Sequence, residues 1–476
     1  MAKMFAGARL RRLREERGIS QAALARRLDL STSYVNQLEN DHRPLTVAVL
    51  LTLSREFDLA GDYFAADADA RLIGDLTEVF AAHSDLGDAE PGQIDELVAR
   101  MPDVGRALVT MHRRLLSATT ELETRNARAT GQPDDYPRTP MPFEEVRDFF
   151  YDRKNYIHEL DVAAEEFFDH HGLDIGGLDE QLAVILEREL GFRVVVDDGD
   201  RKRVFDPVNR VIRIARRLGP GQRAFQLATQ LAFLTQDSLL DTIVASAPDL
   251  TDQSASVARI GLANYFAGAL VLPYKRFHAA AEELRYDVEL LSLRFEVGFE
   301  TICHRLSTLQ RSRLRGVPFI FVRTDRAGNI SKRQSATAFH FSRVGGSCPL
   351  WVVHDAFATP GRIVTQVSSM PDGRSYFWLA RTTDEARRGY LGQRSSFAIG
   401  LGCDLAYADR LVYSTGVDLT DPRRIVPIGA GCKVCDRPAC PQRAFPQLGH
   451  AVVVDDNVAE ASPYRSPGQD VASHRH

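Results

Sequence analysis

Lysine is scarce: the chain holds 6 lysines against 53 arginines. A G+C-rich genome produces that skew as readily as function does, so the arginine total is no evidence of a partner. An excess of positive charge is also absent, the formal net charge being −5. Contact with nucleic acid must then come from a local basic face and not from a field of the whole molecule. No apolar run is long enough to cross a bilayer; the longest, Ile260 to Pro273, is broken by Asn264. From Met1 the chain passes through Lys3, Arg9 and Arg11 to Arg14 with no apolar core of the signal-peptide kind. These absences lead to an expected cytoplasmic location without a membrane partner. Cysteine is scarce too, with 6 residues. Cytosolic thiols stay reduced, so a tight cysteine cluster favours metal or redox chemistry over structural disulfides.

What is present begins with size. At 476 residues the chain exceeds one ordinary core, so several domains are expected. An apolar share of 44% with 26% charged residues is that of globular domains, not of a disordered chain.

The stretch ISQAALARRLDLSTSYVNQLENDHRP reads as two short helices with a tight turn. Ser20 can cap the first, its side-chain oxygen taking up free backbone N–H groups. Ile19 and Leu24 stand at the two staple positions around that cap. The pattern repeats with Ser31 as cap and Leu30 with Val35 as staple. Amphipathic helices near Ala8 to Arg17 and Thr46 to Phe57 complete a small bundle. This is a helix-turn-helix pattern, and it resembles the XRE/Cro-like DNA-binding domains. The resemblance implies that the second helix enters the major groove by its N-terminal end. Ser31, Ser33, Tyr34, Asn36 and Gln37 are then candidates for contact, with Asn36 or Gln37 able to read adenine. Gln21 and Arg43 are candidates for phosphate or groove contacts. A plain helical bundle used for protein contacts is the other reading of the same pattern.

Residues from Asp62 to Ala129 are mostly helical in pattern, and Gly131 to Pro142 reads as a Pro- and Asp-rich linker. An amphipathic helical region follows, FEEVRDFFYDRKNYIHELDVAAEEFF. Then come FRVVVDD and RVFDPVNRVIRIA, a hairpin around Pro207 to Asn209. Two helices come next, QRAFQLATQLAFL and ARIGLANYFAGALVLP. This order, ending in an Ala-Asn-x-Phe-Ala helix stopped by Pro, resembles the M78-type (IrrE-like) metallopeptidases. In that family the first of the paired helices carries His-Glu-x-x-His, two imidazoles for zinc and a carboxylate for water. The matching positions here are Thr229, Gln230 and Phe233. A third ligand would be a carboxylate on the next helix, yet no Asp or Glu occurs between Gln253 and Ala281. Without ligands there is no zinc-bound nucleophile, so the resemblance implies the fold without its hydrolysis. Phe225, Thr229 and Tyr265 suit a small molecule at the former metal position; helix packing is the alternative for each. His158, His170 and His171 are expected to be exposed or capping residues.

The C-terminal third alternates strands and turns. VPFIFVRTDRAGNISKRQSATAFHFSR holds two β-rich runs about a turn centred on Gly328-Asn329, and Pro371-Asp372-Gly373 is another turn. A mixed sheet is expected, with a helix near Asp404 to Val412 and a disordered tail from about Ala459.

The helix-turn-helix, the degenerate M78-like segment, GGSCPLW, the Val322 to Ser335 hairpin and the run from Cys432 to Pro446 together resemble one family. It is the short-chain fatty acyl transcriptional regulators, which includes regulators of acetate metabolism and of the methylcitrate cycle. The resemblance spans nearly the whole chain. It implies a transcription factor on double-stranded promoter DNA with a short-chain acyl-CoA as effector. Acyl-CoA carries several phosphate charges, so its pocket needs cations at one end and an apolar slot at the other. Arg323, Arg326, Lys332 and Arg333 flank the DRAGN turn, and His304-Arg305 is a further cationic pair. A solvated surface is the other reading of these charges.

Cys432, Cys435 and Cys440 supply three thiols in the spacing Cys-x2-Cys-x4-Cys. A tetrahedral site needs a fourth; Cys403 is nearest in sequence, followed by Cys348 and Cys303. Thiolates suit Zn²⁺ or an iron–sulfur cluster equally by ligand type. The family resemblance favours a 4Fe–4S cluster, with zinc as the alternative.

The expected architecture is multidomain and mainly α with α+β parts. It comprises a helix-turn-helix bundle (1–62), a helical connector and linker (63–142) and a degenerate metallopeptidase-like α+β ligand-binding domain (143–315). A C-terminal mixed α/β sensory domain with the Cys cluster (316–458) and a disordered tail (459–476) follow. The expected function is a homodimeric, non-enzymatic regulator of acetate or propionate metabolism that senses acyl-CoA and redox state. The alternatives are an M78-like peptidase acting on a repressor partner and a regulator that senses redox state alone.

Overall fold

The computed structural model describes residues 7–17, 19–40, 42–57, 67–83, 91–112, 114–115, 142–247, 250–337, 339, 347–384, 395–435, 437 and 440–446. The linker reading before Pro142 and the tail reading from Ala459 lie outside these residues. The chain divides into two compact units, one from residues 1–134, 338–345 and 430–476, the other from 135–337 and 346–429.

The first unit opens with helices α1 (Gly7–Glu16), α2 (Gln21–Leu28), α3 (Thr32–Glu39) and α4 (Val47–Glu56). The caps expected from sequence are formed. The Ala23 N–H donates to Ser20 Oγ at 3.2 Å and the Tyr34 N–H to Ser31 Oγ at 3.1 Å. Each such cap is worth about 1 kcal/mol. Leu10, Leu24, Val35, Leu38 and Leu53 close the bundle's core. Gly7 lets α1 meet the end of α3, since a Cβ there would stand 2.3 Å from the Leu38 carbonyl oxygen. Helices α5 (Asp67–Ala82), α6 (Pro91–Arg100) and α7 (102–112) follow. They pack around Leu76, Ile94, Val98 and Val109. A turn of 3-10 helix, Cys432–Val434, rests on α5.

In the second unit come α8 (Pro142–Asp152), α9 (His158–His170) and α10 (Leu178–Arg188). A three-stranded sheet follows, made of β1 (Arg193–Asp197), β2 (Arg203–Asp206) and β3 (Val211–Ala215) in the order β1-β3-β2. β2 and β3 are the expected hairpin, its turn held by Asp206, which accepts from the Asn209 N–H at 3.0 Å. Then come α11 (Pro220–Thr235), α12 (Asp237–Ala245), α13 (Asp252–Val271), α14 (Tyr274–Glu283), α15 (Val288–Phe295) and α16 (Phe299–Leu306). α13 has little amphipathic contrast; its C-terminal half, from Leu262 to Val271, is mostly buried, and α8, α9, α11 and α12 pack along the helix. No single helix among the described residues is long and apolar enough to cross a membrane.

A six-stranded sheet completes this unit. Its strands are β4 (Ile320–Thr324), β5 (Ile330–Ser335), β6 (Val364–Ser369), β7 (Ser375–Asp384), β8 (Ser396–Asp404) and β9 (Ile425–Pro427), with the short helix α17 (Val352–Asp355) between β5 and β6. The order is β5-β4-β8-β7-β6-β9, antiparallel except for β6 with β9. Gly402 faces Trp378 across β7 and β8, and a Cβ there would fall 2.4 Å from the indole. The expected helix near Asp404 to Val412 is instead a 3-10 helix, Leu405–Arg410, tightened where Asp404 accepts from the Ala406 N–H. Packing shows no break at residue 315. Ile302 and Leu306 of α16 share one core with Phe377 and Leu401 of the sheet, because the apolar face of α16 lies on β8.

Candidate functional site

The exposed end of the helix-turn-helix is held from behind by a buried carboxylate. Glu39, at the end of α3, accepts from Arg14 Nε and Nη2 at 2.6 and 3.1 Å and from Gln21 Nε2 at 2.8 Å. One side chain thus locks α1 and α2 onto α3. The sequence reading missed Glu39; the signal was an acid one helical turn after the exposed amides, within reach of an arginine-rich first helix. Gln21 serves this scaffold, and its amide also reaches Asn36 Oδ1 at 3.5 Å. Asn36 is further engaged by Asn40 Nδ2 at 2.9 Å. Ser31 is exposed with its oxygen used as cap acceptor, and Ser33 is exposed. Gln37 is half-buried, and no side-chain hydrogen bond to it occurs among the described residues. Arg43 is exposed and lies over the Tyr34 ring at 5.6 Å. Of the residues offered for DNA, Gln21 thus meets Asn36 and Arg43 meets Tyr34. Gln37 has the freest amide of the two adenine-reading candidates.

In the second unit, α11 and α13 bring Thr229 against Asn264. Thr229 Oγ1 donates to the Phe225 carbonyl at 2.8 Å and stands 3.3 Å from Asn264 Oδ1. Gln230 is buried and Phe233 half-buried, so no imidazole or carboxylate occupies the three positions of the peptidase motif. In place of the second imidazole, Phe233 has Arg203 and Arg259 over its ring at 5.7 and 5.3 Å. Arg259 is taken up by Asp237 and Asp241. Arg203 donates to the Gln226 carbonyl at 2.9 Å and meets no carboxylate among the described residues. Burial holds its pKa below that of an ordinary guanidinium. This cation beside an aromatic ring was also missed from sequence.

Tyr265 and Arg305, expected at a ligand site, meet at Asp161 on α9. Tyr265 donates to Asp161 Oδ2 at 2.6 Å, and Arg305 donates to both carboxylate oxygens. Burial and the Asp161 charge push the Tyr265 hydroxyl well above its usual range. Arg311 extends the network to Glu165 at 2.6 Å and to the Tyr156 hydroxyl at 3.0 Å. Arg305 is thus a buried, paired structural cation rather than a free phosphate binder. Of the expected histidines, His158 and His170 are exposed, and His171 bonds the Phe167 carbonyl at the end of α9.

The four cations around the DRAGN turn do not form one cluster. Arg323 and Lys332 are cross-strand partners on one face of β4 and β5. Arg333 pairs with Val322 on the opposite face, as strand alternation requires. Arg323 is already tied to Glu300 at 3.2 Å, and Arg326 lies over Phe357 at 5.8 Å.

None of the six cysteines forms a disulfide. Cys432 and Cys435 are buried and Cys440 half-buried. The Ala444 N–H donates to Cys432 Sγ at 3.2 Å. Arg443 gathers the loop by donating to the carbonyls of Cys435 and Arg437 at 3.1 and 2.6 Å. An N–H aimed at sulfur fits a thiolate ligand. Against a complete site, no three His, Cys, Asp or Glu side chains converge for a metal among the described residues. Cys403 departs from its expected role as fourth ligand. It is wholly buried in the apolar core, where burial pushes its thiol pKa far up, the setting of a neutral packing residue. Cys303 is buried in the same core with its thiol likewise raised.

Residues 308–464 match the C-terminal model of the short-chain fatty acyl coenzyme A regulators, 188–307 the IrrE N-terminal-like domain and 10–64 a helix-turn-helix. The HTH-type transcriptional regulator PrpR of Mycobacterium tuberculosis is 62% identical over 99% of this chain and 97% of its own length. The HTH-type transcriptional regulator RamB of the same species is 48% identical over 98% of this chain and 99% of its own. A propionyl-CoA carboxylase regulator of Cereibacter sphaeroides is 38% identical over 97% and 98%. A solved Mycobacterium tuberculosis transcriptional regulator, 65% identical, superposes with a TM-score of 0.67 over 68% of this chain and 100% of that one. The chain belongs to the short-chain fatty acyl coenzyme A regulators, a family of helix-turn-helix transcriptional regulators.

Proposed function

We propose that this regulator works in the cytoplasm as a homodimer on promoter DNA and that a short-chain acyl-CoA sets its DNA affinity. The observation that carries the sensing half is Arg203. A half-buried guanidinium that meets no carboxylate among the described residues, beside Phe233 and the Gln226 carbonyl, is a cation left for an anionic ligand. The family's description, short-chain fatty acyl coenzyme A regulator, supports an effector of this class. Binding would bias which arrangement of the two DNA-reading heads is populated. A band-shift assay with and without propionyl-CoA or acetyl-CoA tests this. A midpoint that moves with acyl-CoA and not with free CoA is expected; DNA binding indifferent to every acyl-CoA removes the sensing half.

A redox input through Cys432, Cys435 and Cys440 is the second reading, supported by the N–H to sulfur bond at Cys432. These three thiols would hold an iron–sulfur cluster, which supplies one-electron chemistry when bound; zinc is the alternative occupant. Hydrolysis is not part of the proposal, since Thr229, Gln230 and Phe233 offer neither metal ligand nor base.

A further inference from the structure

Lys332 is one of only 6 lysines in the chain, and it stands among groups that do not pair with it. It lies on the edge strand β5, partly exposed, with Nζ 5.5 Å from the centre of the Phe321 ring. Its cross-strand partner is another cation, Arg323. Glu300 on α16 is the carboxylate nearest in effect, but Arg323 occupies it at 3.2 Å. Lys332 has no ion pair or hydrogen bond from its amine among the described residues. One turn along α16 from Glu300, His304 sets its imidazole edge-on against the same Phe321 ring, centroids 5.5 Å apart. Phe321 thus has an amine and an imidazole against it, with the neighbouring acid already spent.

Such a cluster disfavours charge on both nitrogens. Burial, then the charges of Lys332 and Arg305, keep His304 well below its usual pKa, so the imidazole is neutral at physiological pH. Burial and the Arg323 charge outweigh Glu300 and bring Lys332 down to about 8. At pH 7 roughly a tenth of its amine is then uncharged, more than about a hundredfold above an ordinary lysine. An uncharged amine is the nucleophilic form.

We propose that Lys332 is a site of acyl transfer from short-chain acyl thioesters. The amine attacks the thioester carbonyl, a C–N amide bond forms, and the C–S bond breaks. The free thiol leaves carrying the proton that the amine loses, and His304 is the group in this cluster able to relay it. No oxidant or further reactant is needed. The product has lost its positive charge beside the Glu300–Arg323 pair and gained an apolar chain on the strand edge. The inference rests on the proposed function only for the donor, an acyl-CoA.

The test uses the full chain in two arms: propionyl-CoA, and a propionyl thioester of a small thiol with no nucleotide. Peptide mass spectrometry follows amide formation at all 6 lysines over time and pH. Lys332 is expected to label at least about tenfold faster than the others at neutral pH. Its rate should level off above pH about 8, where the amine is already uncharged, while ordinary lysines go on rising. Exchanging His304→Gln should slow Lys332 alone. Labelling in the small-thioester arm but not the CoA arm supports the reactive lysine and counts against acyl-CoA as its donor. Lys332 labelling no faster than the other lysines in either arm overturns the proposal. That comparison needs no variant, so a poorly folded His304→Gln does not blunt it. Non-covalent binding of propionyl-CoA to Lys332→Arg, followed by calorimetry, tests the sensing proposal separately.

Discussion

Arg305 grips Asp161 through two nitrogens, at 2.6 and 3.1 Å, with side-chain exposures of 3% and 0%. The pair joins α16 to α9, and Arg305 also donates to the Leu272 carbonyl at 3.0 Å, where α13 ends. Removing one partner strands the other charge in the core. Arg305→Met or Asp161→Leu alone is therefore expected to cost about 3–5 kcal/mol in chemical denaturation. The double exchange should recover part of that loss, because no charge is left unpaired while the buried Tyr265 hydroxyl still loses its acceptor. Equal losses for the single and double variants would show that the pair is not the source of the effect.

Much of this was legible in the sequence, and the failures share a cause. Ser20, Ser31 and the staples announce α2 and α3, because caps and staples are local. The Asp206–Asn209 turn announces its hairpin for the same reason. Glu39, Arg203 and Asp161 were not found, since each owes its importance to partners tens of residues away. Arg305 stands out in the sequence by its charge, and only the fold shows that Asp161 consumes it. Cys403 is the nearest further thiol in sequence, and strand β8 carries it into the core.

Gln37 and Asn36 separate by their partners. Asn36 Oδ1 accepts from Asn40 and reaches Gln21, while the Gln37 amide is unengaged among the described residues. Gln37→Ala is expected to lower affinity for the cognate site by about 1–3 kcal/mol while leaving non-specific binding nearly unchanged. Arg43→Ala should weaken both and flatten the salt dependence. Competition band-shifts over a salt series distinguish the two. A Gln37→Ala variant that loses both kinds of binding equally would assign Gln37 to the scaffold.

Met101, Val104, Met111 and Leu115 are exposed by 48–65% and recur at steps of three, seven and four along and beside α7. That spacing makes one apolar stripe on the side away from Val109, which packs on α5 and α6. The proposed homodimer is expected to bury this stripe. Exchanging Met111→Glu together with Leu115→Glu should shift sedimentation towards monomer and weaken binding to a two-half-site operator by about a hundredfold. Binding to a single half-site should hardly change. A variant that remains dimeric would place the interface elsewhere.

Cys435 tests the metal proposal through a residue whose backbone carbonyl accepts from Arg443. Exchange to Ser keeps the backbone contact and removes one thiolate. Anaerobically purified wild-type protein is expected to contain iron and acid-labile sulfide with broad visible absorption, and Cys435→Ser to lose most of all three. Cys403→Ser should keep the cluster, since a neutral thiol in an apolar core is no ligand, while costing stability through its buried hydroxyl. If Cys403→Ser abolishes iron in a protein that still melts cooperatively, Cys403 is a ligand after all. Zinc without iron in the wild type would select the alternative occupant. Neither metal in an anaerobic preparation would leave the loop to its packing on α5.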